Sequence, residues 1–205
     1  GKNYRIDLLN KESNTAYEIQ LTNFGKQFSA KISALLTQLK VIIVHPLAVK
    51  ETVTWFNKGN VISTRTIRKR TDIYSLFDKL VSFSTLFIPD KLGFDILFTE
   101  EEVWKEFIGF RGRSKRPRYR QVQRDLITIQ ETTKFRTFSD FIDLLPEALP
   151  AAFTNREVME NLAIQGGERR KRRIAGRLTY SLCRMGVLKR IGRRGRAYEF
   201  EIQDF

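Results

Sequence analysis

A chain of 205 residues with 41% hydrophobic and 12% aromatic residues carries enough apolar material for one large or two small packed cores. Its 37 Lys and Arg against 23 Asp and Glu leave a formal net charge of +14, which points to a polyanionic partner, nucleic acid being the commonest. One cysteine excludes an internal disulfide framework, one histidine excludes a His/Cys zinc site, and no apolar run reaches membrane-spanning length.

The first stretch with pattern is Tyr4 to Leu21, which alternates apolar and polar residues in two arms, Tyr4 to Asn10 and Thr15 to Leu21, around the polar turn at 11–14. A β-hairpin is predicted, with Tyr4, Ile6, Leu8, Tyr17, Ile19 and Leu21 on the apolar face. With the loop at Glu12-Ser13, Asp7 stands opposite Glu18 on the other face and Arg5 opposite Gln20. Opposed residues have Cβ atoms about 4.5 to 5.5 Å apart, so two carboxylates there repel unless a cation compensates. Arg5 could neutralise them on a solvated face; alternatively, paired hard oxygens are what Mg²⁺ or Mn²⁺ takes. Asn23 is predicted to cap a helix to about Leu39 whose stripe of Phe24, Phe28, Ile32, Leu35, Leu36 and Leu39 covers the apolar hairpin face. The run KVIIVHP then reads as a buried strand reached by a helical crossover, with His45 in a structural place.

This order of strand, strand, helix and strand, with Asp7 on one strand and Glu18-Ile19-Gln20 on the next, resembles the core of the PD-(D/E)xK, or restriction-endonuclease-like, nuclease superfamily over residues 4–46. The resemblance implies an α+β fold with a mixed sheet, and a Mg²⁺ ion held by Asp7, Glu18 and the Ile19 carbonyl. It implies a Lys that assists the attacking water. Gln20 occupies that place, where it would orient the water without supplying charge, and Lys26 in the first helical turn is the candidate for the missing cation. The family also has a helix with a further acid before the first strand; only Gly1, Lys2 and Asn3 precede Tyr4 here, and Gly1 in place of Met is compatible with removal of an upstream helix.

Beyond Pro46, ETVTWFN and NVISTRTIRKR alternate around Lys58-Gly59 as a second hairpin. A helix is predicted from Thr71 to about Phe87, stopped by Pro89, and FDILF at 94–98 reads as another strand. Residues 1–108 are thus expected to form the nuclease-like domain. Residues 109–124 hold seven Lys and Arg and no acid, and read as a solvated basic linker whose Arg113, Arg116 and Arg118 track phosphates, with Phe110 and Tyr119 able to stack on bases.

The last part, 125–205, reads as helices at 125–134 and 137–145, a third with the capping box Thr154-x-x-Glu157, a long helix from about Arg169 to Met185 closed by Gly186, and a hairpin at 187–202 with a basic turn. By element order it resembles a winged helix domain. That implies a long helix in the DNA major groove, presenting Arg169, Arg172, Arg173, Thr179 and Tyr180, and a wing whose Arg193, Arg194 and Arg196 reach phosphates. Gly176 costs about 1 kcal/mol mid-helix against Ala, which close approach to a partner would explain.

The sequence therefore reads as a cytoplasmic, or nucleoid-associated, Mg²⁺- or Mn²⁺-dependent DNA endonuclease that makes no use of a membrane. A homodimer is one expected state, since such enzymes often cut both strands as pairs. The alternative is a nuclease-like DNA-binding regulator or scaffold without activity, for which Gln20 and the absent upstream acid speak. RNA is a third partner, disfavoured because the aromatic strand motif of the common RNA modules is missing.

Overall fold

The computed structural model describes residues 4–113 and 115–205 as a mixed α/β chain; Gly1, Lys2 and Asn3, on which the upstream-helix expectation bears, lie outside the described residues. Strands β1 (Leu8–Asn10) and β2 (Thr15–Ile19) form the expected antiparallel hairpin. Helix α1 (Lys26–Leu35) then crosses over to β3 (Lys40–Asn57), which pairs parallel with β2 from Lys40 to Val44. Strand β4 (Asn60–Arg68) turns back along the second half of β3. Two long strands follow, β5 (Leu92–Arg111) and β6 (Arg116–Phe135), and hydrogen-bonded order runs β1-β2-β3-β5-β6, with β4 also on β3.

The chain divides into two compact units, one of Gly1–His45, Ile73–Asp95 and Lys134–Phe205, the other of Pro46–Asp72 and Ile96–Thr133. In the first, the core is largely phenylalanine. Phe94 meets Phe24, Phe83, Phe87 and Phe141 with ring centroids 6.3–6.4 Å apart, and Phe135 stacks on Phe141 at 4.7 Å. Arg136 lies across bare Gly93, donating to the Phe94 carbonyl at 2.9 Å and pairing with Asp95; a Cβ on Gly93 would meet Arg136 at 2.8 Å. At the end of β2, Gln20 N–H donates to Val44 O at 2.9 Å. The next ladder bond would need an N–H from residue 46, which is proline, and the His45 Nδ1 takes the Gln20 carbonyl instead. Burial holds that imidazole below its ordinary 6.5, so His45 is a neutral fastener.

The remainder of this unit comprises α3 (Phe138–Ile142), β7 (Phe153–Thr154), α4 (Asn155–Asn161), α5 (Glu168–Met185), β8 (Leu188–Arg194) and β9 (Ala197–Ile202), with sheet order β7-β9-β8. The Thr154–Glu157 capping box forms, with Thr154 N–H donating to Glu157 at 2.7 Å. Gly186 closes α5 at φ 87°, which a side chain would resist.

Several expectations are corrected. Helix α1 starts after Gly25, because Asn23 is turned outward to accept from Lys79. Residues 71–87 form a 3-10 turn, the four-residue helix α2 (Phe77–Leu80) and a second 3-10 turn; Ser82, Ser84 and Thr85 are weak helix formers there. The supposed linker 109–124 is the end of β5, a turn and the first half of β6, and the supposed helix 125–134 is the rest of that strand. Ile127, Thr128, Ile129, Thr132 and Thr133 favour the pleated chain, and exposure of β6 on both faces erased the alternation that marks a strand. The hairpin faces are also exchanged. Helix α1 covers the side bearing Ala16 and Glu18, while Ile19 and Leu21 stay 56% and 62% exposed.

No helix of the described residues is long and apolar enough to cross a membrane. Because Phe94 joins rings from several elements and is fully buried, Phe94→Ala should lower stability by about 3–5 kcal/mol in urea denaturation, whereas a loss below 1 kcal/mol would contradict this core.

Candidate metal centre and nucleic-acid interface

Strand β1 begins at Leu8, paired with Tyr17, and Asp7 lies in the bend just before it, close enough to Glu18 for its charge to act on that carboxyl. The Asp7 Oδ2 accepts the Ile19 N–H at 2.9 Å. N–H and C=O of one strand residue leave the same edge, so the Ile19 carbonyl emerges on the edge where Asp7 lies. Glu18 is only 1% exposed; its Oε2 pairs with Lys31 of α1 and its Oε1 has no hydrogen-bond partner. Burial pushes the Glu18 carboxyl above its ordinary 4.5 and the nearby Asp7 charge adds to this, while Lys31 and the Asp7 backbone N–H oppose it. An orphaned buried oxygen beside a second carboxylate fits a hard divalent cation. No group of three or more His, Cys, Asp or Glu gathers among the described residues, and the groups that could hold such an ion are Asp7, Glu18 and the Ile19 carbonyl.

The other two catalytic candidates are placed differently. Gln20 turns its amide away, donating to Thr22 Oγ1 at 3.0 Å and to the Asn23 carbonyl at 2.9 Å, because the chain bends there. Lys26 is exposed on the first turn of α1, and lines a groove of about 670 Å³ with Tyr4, Phe28 and Lys31. The cation that reaches Glu18 is Lys31, one further turn along. Its signal was present in the sequence: Lys31 falls three residues after Phe28 and four before Leu35, on the inward stripe, where an ammonium needs a buried partner.

On α5, Arg169, Arg173, Gly176 and Tyr180 follow one another at three- or four-residue spacings as an outward stripe, and Arg172 beside them pairs with Glu168 at 2.6 Å. Thr179 is not part of it. It is buried, and its hydroxyl donates to Asn155 and to the Ala175 carbonyl, so it holds α5 to α4. In the β8–β9 hairpin, Arg196 stands in the turn, exposed, while Arg193 donates to the Tyr198 hydroxyl at 3.0 Å. Arg190 lies 3.6 Å over the same ring. Arg194 is committed internally, to Glu157 at 2.8 Å, to Glu199 and to the Ala152 carbonyl, which ties the hairpin to the start of α4 and removes it from the phosphate-contacting set. In the second unit Arg113 sits in the β5–β6 turn, with Arg116 and Arg118 exposed at the start of β6.

Two outcomes follow from these environments. A carboxyl whose folded pKa is raised contributes stability that is full below 4.5 and lost as pH rises through the folded value. Lys31→Ala removes the group opposing that shift, so its cost should be about 2 kcal/mol or more at pH 7 and distinctly less at pH 4; equal costs in urea titrations at both pH values would contradict the pairing. A Cβ on Gly176 meets nothing within 4 Å, so Gly176→Ala should raise stability by about 1 kcal/mol, and a destabilised variant would show that the fold itself needs the glycine.

No curated protein and no solved structure matches the chain. A family model matches residues 1–136, from the hairpin to the residue after β6, and leaves α3 to β9 outside it. By that match the chain belongs to the family described as a domain of unknown function (DUF8091).

Proposed function

We propose that this protein is a divalent-metal-dependent DNA endonuclease of the PD-(D/E)xK type, in which a winged helix module holds the duplex. The observation that carries the reading is Asp7, held by the Ile19 N–H, near buried Glu18, one of whose oxygens has no partner, in a chain of charge +14. The parallel β2–α1–β3 crossover and the order α3-β7-α4-α5-β8-β9 support the two fold assignments.

In this reading Asp7, Glu18 and the Ile19 carbonyl hold the ion, and Lys31 favours the ionised form of Glu18 and brings to it the charge that Gln20 cannot. Bound Mg²⁺ or Mn²⁺ would supply Lewis acidity and a water of lowered pKa. Arg169, Arg172 and Arg173 contact phosphates or base edges from α5, and Arg193 and Arg196 contact the backbone from the hairpin. Two observations favour the inactive regulator instead: the Gln20 amide is tied into its own turn, and Lys31 already occupies half of the Glu18 carboxylate.

The two readings part in one assay. Asp7→Asn and Glu18→Gln should each abolish Mg²⁺-dependent plasmid nicking while leaving duplex affinity within about threefold. Arg169→Ala with Arg173→Ala should weaken duplex binding and flatten its salt dependence by about two in slope. Nicking by both carboxylate variants at the wild-type rate defeats the enzyme, and duplex affinity insensitive to salt defeats the DNA reading.

A further inference from the structure

In the second unit, four aromatic rings from three neighbouring strands share one place: Trp55 of β3, Phe107 and Phe110 of β5 and Tyr119 of β6. Trp55 meets Tyr119 edge-on at 6.5 Å, Phe107 meets Tyr119 at 5.8 Å, and Phe107 meets Phe110 at 5.1 Å. Residues 107 and 110 would leave a regular strand on opposite faces. They meet because Gly109 adopts φ +105°, a conformation side chains resist, and a Cβ there would otherwise meet nothing within 4 Å. The kink at Gly109 thus brings Phe110 beside Phe107, yet Phe110 remains 62% exposed and adds little to any core.

The surroundings are cationic. Of the seven Lys and Arg in residues 109–124, Arg120 pairs with Glu106 and Arg124 with Glu51 and Glu101, whereas Arg111, Arg113, Lys115, Arg116 and Arg118 are exposed and have no carboxylate partner among the described residues. Half-open rings that present flat faces, edged by unpaired guanidinium groups, match unpaired bases on a phosphate backbone: every base has a face to stack, and the backbone finds the cations. Double-stranded DNA offers no such faces, and the charge of an acidic protein segment would match the cations while leaving the ring faces uncovered.

We infer that this aromatic cluster at the β5–β6 end is a binding surface for single-stranded nucleic acid, with bases on Phe110 and Tyr119 and phosphates on Arg111, Arg113 and Arg116. The surface belongs to the second unit and shares no residue with the Asp7 and Glu18 site or with α5, and it stands whether or not the protein is a nuclease.

The test uses the full chain, with fluorescence anisotropy of labelled dT20, rU20 and a 20-bp duplex, for wild type, Phe110→Ala and the Arg169→Ala/Arg173→Ala double variant. Wild type should bind dT20 or rU20, and Phe110→Ala should weaken that binding fivefold or more while leaving the duplex unchanged. Phe110 is exposed, so its removal opens no cavity. The double variant should do the reverse. Preference for rU20 would identify RNA as the natural source and preference for dT20 displaced DNA; both uphold the surface. In Trp104→Phe, Trp55 is the sole tryptophan and its emission should be quenched by unlabelled dT20. Unchanged dT20 and rU20 affinity in Phe110→Ala, or no single-strand binding by a wild type that binds duplex, overturns the inference. Single-strand binding that is lost in Phe110→Ala by a protein that ignores duplex upholds it and overturns the winged helix reading alone.

Discussion

The pairing of Lys31 with Glu18 under the crossover helix is the contact on which the candidate site depends. A carboxylate taken out of water in an otherwise apolar sandwich either loses its charge or acquires a compensating one. Here burial raises the pKa of Glu18 and the Lys31 ammonium opposes the rise, which leaves the net shift upward. An acid so placed, with one oxygen unclaimed, is poorly served by the protein alone. A divalent cation would satisfy it, and no other group in the described first hairpin is in that position.

The fold supplies the rigidity this needs. Parallel pairing of β2 with β3 fixes where Glu18 points, and the Pro46 interruption, repaired by His45, marks the end of that pairing just beyond Gln20. The phenylalanine cluster around Phe94 holds the 73–95 segment against the same unit, and Arg177 of α5 pairs with Asp78 of α2, so the C-terminal helices belong to this unit rather than to a separate one.

Much of this was legible from residue order. The first hairpin and its register, the crossover, the long helix with its glycine cap, the capping box and the last hairpin all have local signals of alternation, helical period or cap chemistry. What was not legible has a common cause, the absence of a buried face. Strand β6 is exposed on both sides almost throughout, so its arginines read as a linker and its Ile-Thr-Ile segment as a helix. The face of the first hairpin was misjudged for a related reason: Ile19 and Leu21 look like core residues, but the crossover placed α1 over Ala16 and Glu18 instead. The inward Thr179 shows the remaining limit: it lies between buried Leu178 and exposed Tyr180, and only the packed neighbour decides which side it joins.

The most direct measurement is Mn²⁺-induced broadening of amide resonances in the full chain at substoichiometric metal. If a cation sits between the two carboxylates, the signals of Asp7, Ile19 and Lys31 should vanish first, and should persist when Glu18 is replaced by Gln. Persistence of those three signals in the wild type while others broaden would contradict the account.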